Sequence, residues 1–227
     1  MARDVITSLP TSRAVLDAAT VIARATAPAR TVVETSTLSL DDKLEVERIL
    51  REAGHTALDC PMSGTGAQAA VKDIVVYASG DPTAIERLRP AFAAFTRKVF
   101  DLGAFGNGSK MKFIANHLVA IHNAAAAEAM VLAMKAGLDA NRVVEVIGSG
   151  AGTSRMFELR APMMAANNYL PATARLAIFK KDLMVIGEFA SGLACPTPLF
   201  DLSASLYRGA LAMGRDARRR GRTSGYR

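Results

Sequence analysis

Three segments hold polar residues where packing does not explain them: DCPMSGTGAQ over 59–68, GNGSKMKFIAN over 106–116, and ARLAIFKKDLMVIG around Lys181. In the second, Lys112 and Asn116 stand four apart and so share one face of a helix. Met111, Phe113, Ile114 and Ala115 flank them, and such a setting partly desolvates an ammonium and lowers its pKa towards the range where it gives and takes a proton. Proton transfer is the chemistry this pair suggests. A lysine whose stem lies on apolar surface with its head in water is the alternative that spacing alone leaves open. In the first segment, Ser63-Gly64-Thr65-Gly66 follows an apolar run ending in Pro61. A glycine-rich turn there would offer N–H and hydroxyl donors at a sheet edge, suited to a carboxylate, although the same residues also make an ordinary loop. In the third, Lys181-Asp182 interrupts an apolar helical stripe, and a local ion pair accounts for that equally.

The elements that must position these groups are readable as two patterns. Up to about residue 103, apolar runs alternate with helical stretches, which is the signature of an α/β sheet. Strands are predicted from Val5-Ile6 towards Leu9-Pro10 and over 31–37, 56–61, 73–79 and 98–102, with helices over 12–25, 41–54 and 83–96. Asp41-Asp42 and Pro82-Thr83 supply first-turn helix signals. Beyond 103 the pattern is helical throughout: 109–135 stopped by Gly137, 139–147 stopped by Gly148, 173–192 stopped by Gly192, then 197–213. The fold class expected is α/β followed by all-α, in two domains joined by a long helix, with a cleft of the kind where ligands bind. GSGAG over 148–152 follows a helix rather than a strand and reads as a C-cap and turn, not a phosphate cradle.

Half of the 227 residues are apolar, enough for a sizeable core. Cys60 and Cys195 have no metal-site or framework spacing, which argues against zinc or disulfides and for a reducing cytoplasm. The N-terminus lacks an apolar signal core, and apolar stretches such as 124–132 fall short of a span and are broken by Glu128, so a soluble protein with no membrane partner is expected. The net charge of +7 is concentrated in 215–227, where six arginines against one aspartate give +5 and leave +2 for the rest. Trp is absent, and the tail reads as a solvated, disordered arm rather than a nucleic-acid surface. His55, His117 and His122 are expected to have core or surface roles.

Asp59 with PMSG resembles the D-x-P-V-S-G-G substrate loop of the β-hydroxyacid dehydrogenase family. GNGSKMKFIAN is similar to that family's G-x-G-x-x-x-K-x-x-x-N, and KKDL to its K-D-L helix, in the same order. SLP over 8–10, VVETST over 32–37 and GLDANRVVEVIGSGAGTS extend the resemblance to about residues 3–214. It implies a partial Rossmann-type nucleotide-binding domain over 1–104, a helical substrate and dimerisation domain over 105–214, and NAD or NADP as cofactor. Lys112 would be the general acid/base that exchanges a proton with the substrate oxygen as hydride moves to or from the nicotinamide. Asn116 would hold that oxygen, and Ser63, Gly64 and Thr65 a small substrate's carboxylate. Leu9, Pro10 and Thr37 would contact the nicotinamide half, Lys181 would close over the cofactor, and Asp182 would orient nearby lysines. The resemblance also implies a homodimer or homotetramer through the helical domain.

Four departures stand out. Thr65 replaces the family's second glycine, Gln68 stands where glycine is usual, and Ala14 stands where some relatives place an asparagine. No G-x-G-x-x-G precedes these motifs, and two βα units of about 30 residues each would carry it, roughly 60 in all. The expectation is an N-terminally truncated chain that binds dinucleotide weakly or not at all. The alternative readings are an inactive remnant serving as a dimerisation module and, third, a nucleic-acid binder acting through the arginine tail.

Overall fold

The computed structural model describes residues 3–26, 28–169 and 176–214. The first half alternates β1 (Asp4–Thr7), α1 (Ser12–Arg24), β2 (Thr31–Glu34), α2 (Leu40–Glu52), β3 (Thr56–Asp59), β4 (Met62–Ser63), α3 (Gly66–Ala70), β5 (Val75–Gly80), α4 (Pro82–Ala93) and β6 (Lys98–Asp101). Helices α5 (Asn107–Lys135), α6 (Ala140–Gly148), α7 (Arg155–Ala165), α8 (Leu176–Gly192) and α9 (Pro198–Ala212) follow. The expected order of elements is present, with β4, α3 and α7 in addition. Helix starts are fixed by side-chain caps: Thr11 accepts from the Ala14 N–H, Ser39 from Asp42, Asp81 from Thr83 and Ser154 from Phe157. Residues 173–175 of the helix expected over 173–192, and the tail over 215–227, lie outside the described residues.

Strands β1, β2 and β3 are parallel in that order, and β5 joins β3 antiparallel and β6 parallel. The antiparallel run against β5 passes from β3 into β4 without a slip in register, since Leu58 faces Gly80, Asp59 faces Ser79, Met62 faces Val76 and Ser63 faces Val75. Pro61, which has no N–H, sits at the break, and its carbonyl still accepts from the Tyr77 N–H. Strand β3 therefore ends at Asp59 rather than at 61. Strand β2 ends at Glu34 rather than at 37, where the chain turns out of the ladder.

All four residues of β2 are buried, as a strand covered on both faces requires. Val32 packs with Val15 and Ala19 of α1 and Val46 and Leu50 of α2, while its neighbour Val33 joins Leu58, Val76 and the α4 residues Ile85, Leu88 and Phe92. Alternation by one residue thus feeds two cores, and each such side chain contributes about 1.5–3 kcal/mol on burial.

The chain divides into two compact units, one holding residues up to Asn116 together with Glu188–Ala194, the other His117–Gly187 with the chain from Cys195 on. The division falls inside α5, later than the domain boundary expected at 104. In the second unit Ala126 and Met130 of α5 pack with Val143 of α6 and Phe157 and Ala161 of α7. His117 stacks on Phe200 at 5.0 Å, and the Asn123 amide donates to the Tyr207 hydroxyl at 3.0 Å. Among the described residues α5 alone is long and apolar enough, by length and composition, to cross a membrane.

Candidate active site

The site is built around the start of α5. Gly108 is the one residue type that fits there, because a Cβ on it would lie 2.4 Å from the Tyr77 carbonyl oxygen and 2.7 Å from that of Asp59. That approach brings the first-turn N–H groups, which have no partner within a helix, against the sheet. The Gly108 N–H donates to Ser79 Oγ at 2.9 Å. The Ser109 N–H donates to Asp59 Oδ2 at 2.7 Å, and the Ser109 hydroxyl donates to Asp59 Oδ1 at 2.8 Å. An anionic side chain at the positive end of a helix is favourable. Asp59 therefore fixes where α5 begins, and with it Lys112 three residues on and Asn116 four beyond that.

Lys112 and Asn116 are both buried, at 8% and 7% exposure, as the apolar flanks imply. Phe113 between them is 1% exposed and packs on Phe189 at 5.1 Å.

The loop that follows β3 differs from the simple glycine turn expected. Ser63 belongs to β4, and Gly64 takes φ +140°, where a Cβ would fall 2.4 Å from Ile74 Cγ2. The Thr65 N–H donates to Gln68 Oε1 at 3.0 Å and the Thr65 hydroxyl to the same oxygen at 3.3 Å, while Gln68 Nε2 donates to Asp73 Oδ2 at 3.2 Å. The two departures from glycine are a matched pair, and Thr65 has both its donors turned to Gln68 rather than outward.

Leu9 and Pro10 follow β1, and Thr37 follows β2. The two loops are stitched together: the Leu9 N–H donates to Ser36 Oγ at 2.8 Å, and the Thr35 hydroxyl donates to the Thr7 carbonyl at 2.8 Å. Because β1, β2 and β3 are parallel, these loops and Asp59 all lie at one carboxyl edge of the sheet, the edge where α/β folds bind ligands. Lys181 and Asp182 lie in the second unit, ion-paired with each other at 3.4 Å on α8.

Sequence reasoning missed two buried charges, Lys43 and Glu34, and that they meet at Asp59. Lys43 (0% exposed) pairs with Glu34 (1%) and, at 3.0 Å, with Asp59 Oδ1 (0%). A signal existed: Lys43 occupies the stripe of α2 that continues with the buried Val46 and Leu50, at i+3 and i+7. A lysine there needs an anionic partner. Neighbouring Cys60 is pushed up to about 12 by burial and by the Asp59 carboxylate, so it stays a thiol and not a nucleophile. His55 accepts from the Arg30 N–H at 3.1 Å and is structural. Among the described residues no His, Cys, Asp and Glu converge as metal ligands.

A sheet whose loops after β1, β2 and β3 share one carboxyl edge, followed by a long helix with a buried lysine and asparagine, makes a two-unit protein, α/β and then α. Residues 1–103 match the family model described as the NAD binding domain of 6-phosphogluconate dehydrogenase, and residues 106–220 that described as NAD-binding of NADP-dependent 3-hydroxyisobutyrate dehydrogenase. An L-threonate dehydrogenase of Pectobacterium atrosepticum is 36% identical over 82% of this chain and 62% of its own length. An NAD-dependent L-serine dehydrogenase of Pseudomonas aeruginosa is 33% identical over 83% of this chain and 65% of its own. The solved 3-hydroxyisobutyrate dehydrogenase of Mycobacterium tuberculosis with L-serine superposes with TM-score 0.85 at 30% identity, covering 95% of this chain and 76% of that one. The chain belongs to the β-hydroxyacid dehydrogenase family. It spans less than two thirds of the length of the Pectobacterium L-threonate dehydrogenase and the Pseudomonas L-serine dehydrogenase.

Proposed function

We propose that the protein is an NAD(P)-dependent oxidoreductase that interconverts a small 3-hydroxy acid and its semialdehyde or keto form. The observation that carries this reading is the buried Lys112–Asn116 pair, held by the bond of Asp59 to the first turn of α5. When bound, the nicotinamide supplies or accepts the hydride. Lys112 donates its proton to the substrate's carbonyl oxygen in reduction and takes the hydroxyl proton in oxidation. Asn116 holds the same oxygen, and Ser63 and Gly64 hold the carboxylate. Leu9, Pro10 and Thr37 are assigned to the nicotinamide end, Lys181 to the cofactor, and Asp182 to orienting nearby lysines. The glycine turn that receives a pyrophosphate in such enzymes is not among the described residues.

Because residues 1–227 are expected to bind dinucleotide weakly, the test supplies NAD or NADP at high concentration, and reduced dinucleotide is expected to form from L-threonate, L-serine or 3-hydroxyisobutyrate, followed by absorbance of the reduced nicotinamide. No turnover of any of the three, in either direction and with either cofactor, would overturn the reading.

The assembly we assign is a homo-oligomer through the helical unit, with no nucleic-acid or membrane partner, in a reducing cytoplasm that suits the free Cys60 and Cys195. Its support is the outward stripe Leu199, Leu202 and Leu206 on α9, each more than half exposed at i, i+3 and i+7. Leu202→Glu with Leu206→Glu is expected to convert a dimer or tetramer to monomer in sedimentation. A wild-type monomer would contradict the assignment.

A further inference from the structure

We propose that Lys43 and Glu34 are positioning residues, forming with Asp59 a buried ionic bridge that sets the nicotinamide-side loops in register with the helix that carries Lys112. The inference rests on the roles proposed above for those loops and for Lys112.

The bridge can be followed bond by bond. The Leu9 N–H donates to Ser36 Oγ, and the Ser36 N–H donates to Glu34 Oε1 at 2.9 Å. The other Glu34 oxygen accepts from Lys43, which also pairs with Asp59 Oδ1 at 3.0 Å. Asp59 in turn holds the N–H and hydroxyl of Ser109. One ammonium therefore joins the loops after β1 and β2, assigned to the hydride donor, to the first turn of α5, assigned to the proton donor. Hydride and proton must reach adjacent atoms of one carbonyl, so the relative placement of these two parts decides the rate. A displacement of about 1 Å in such geometry costs about 10²-fold.

Stability does not account for the bridge. Buried ion pairs contribute little over apolar side chains of similar size, while each one-sided removal leaves an unpaired charge. Glu34 and Lys43 interrupt otherwise apolar faces of β2 and α2, where an apolar pair would fill the same space. What the ions add is direction: the lysine requires two acceptors at set places, one on each strand.

The test is the double variant Glu34→Gln with Lys43→Met. It leaves the net buried charge unchanged and keeps an oxygen for the Ser36 N–H, yet removes the link between the two halves. The expected result is a folded protein with kcat lowered about tenfold or more and KM for hydroxy acid and dinucleotide within about twofold. Amide exchange at Ser36 and at Ser109 is expected to quicken together by about tenfold, a readout independent of turnover. Unchanged kcat and unchanged exchange would overturn the proposal, as would a general loss of folding in which KM and kcat deteriorate alike. Absence of turnover in the unaltered protein would count against the proposed function alone, and the exchange measurement would then decide for or against the bridge.

Discussion

Lys112→Ala is expected to lower kcat/KM by roughly 10²–10⁴-fold, the contribution of a positioned general acid/base. The lysine is buried on the same face of α5 as Asn116, and its helix is fixed through Ser109 to Asp59. Removing the side chain leaves Ser63, Gly64 and the loops after β1 and β2 in place, so KM and dinucleotide affinity are expected to survive in large part. Steady-state kinetics with a threonate- or serine-type substrate check this, with thermal melting to confirm that the variant folds. Retention of more than about a tenth of the activity would assign proton transfer to another group.

The second large effect is steric. Gly108→Ala would place a methyl 2.4 Å from one backbone oxygen and 2.7 Å from another, both in the sheet, where no side chain can rotate away. The start of α5 must then move off β3 and β5, breaking its bonds to Asp59 and Ser79. The expected cost is about 1–3 kcal/mol or more, seen as a fall in Tm of about 2–4 °C per kcal/mol for a chain of this size, with activity lost beyond what stability explains. Gly187→Ala is the control. It lies within α8, its added methyl meets nothing within 4 Å, and it is expected to raise stability by about 0.5–1 kcal/mol. Equal melting temperatures for Gly108→Ala and the wild type would show that α5 does not need the contact.

Much of this was legible in the residues. The α/β alternation, the long helix, its stop at Gly137 and the Lys112–Asn116 pair follow from local periodicity and caps, which are short-range properties of a chain. The elements that escaped notice have weak local signals. Strand β4 is two residues long and exists because Met62 and Ser63 meet Val76 and Val75. Helix α3 is five residues held by the Thr65–Gln68 exchange. Helix α7 carries Pro162, which breaks a helical pattern on paper, yet Ser154 caps it and Phe157 and Ala161 bury one face.

The sequence by itself placed Lys112 and Asn116 on one face of a long helix and Lys181 and Asp182 on a later one, because spacing and capping act within a few residues. Only the tertiary structure decided what surrounds them. Glu34, Lys43 and Asp59 are nine and sixteen residues apart in the chain, and nothing local says that they share one buried point. Likewise Gly108 reads as an ordinary turn glycine until the carbonyls of Tyr77 and Asp59 close in on it. Burial, charge pairing and close approach are sums over distant segments, so they become visible only when β2, β3, β5 and α5 are packed together.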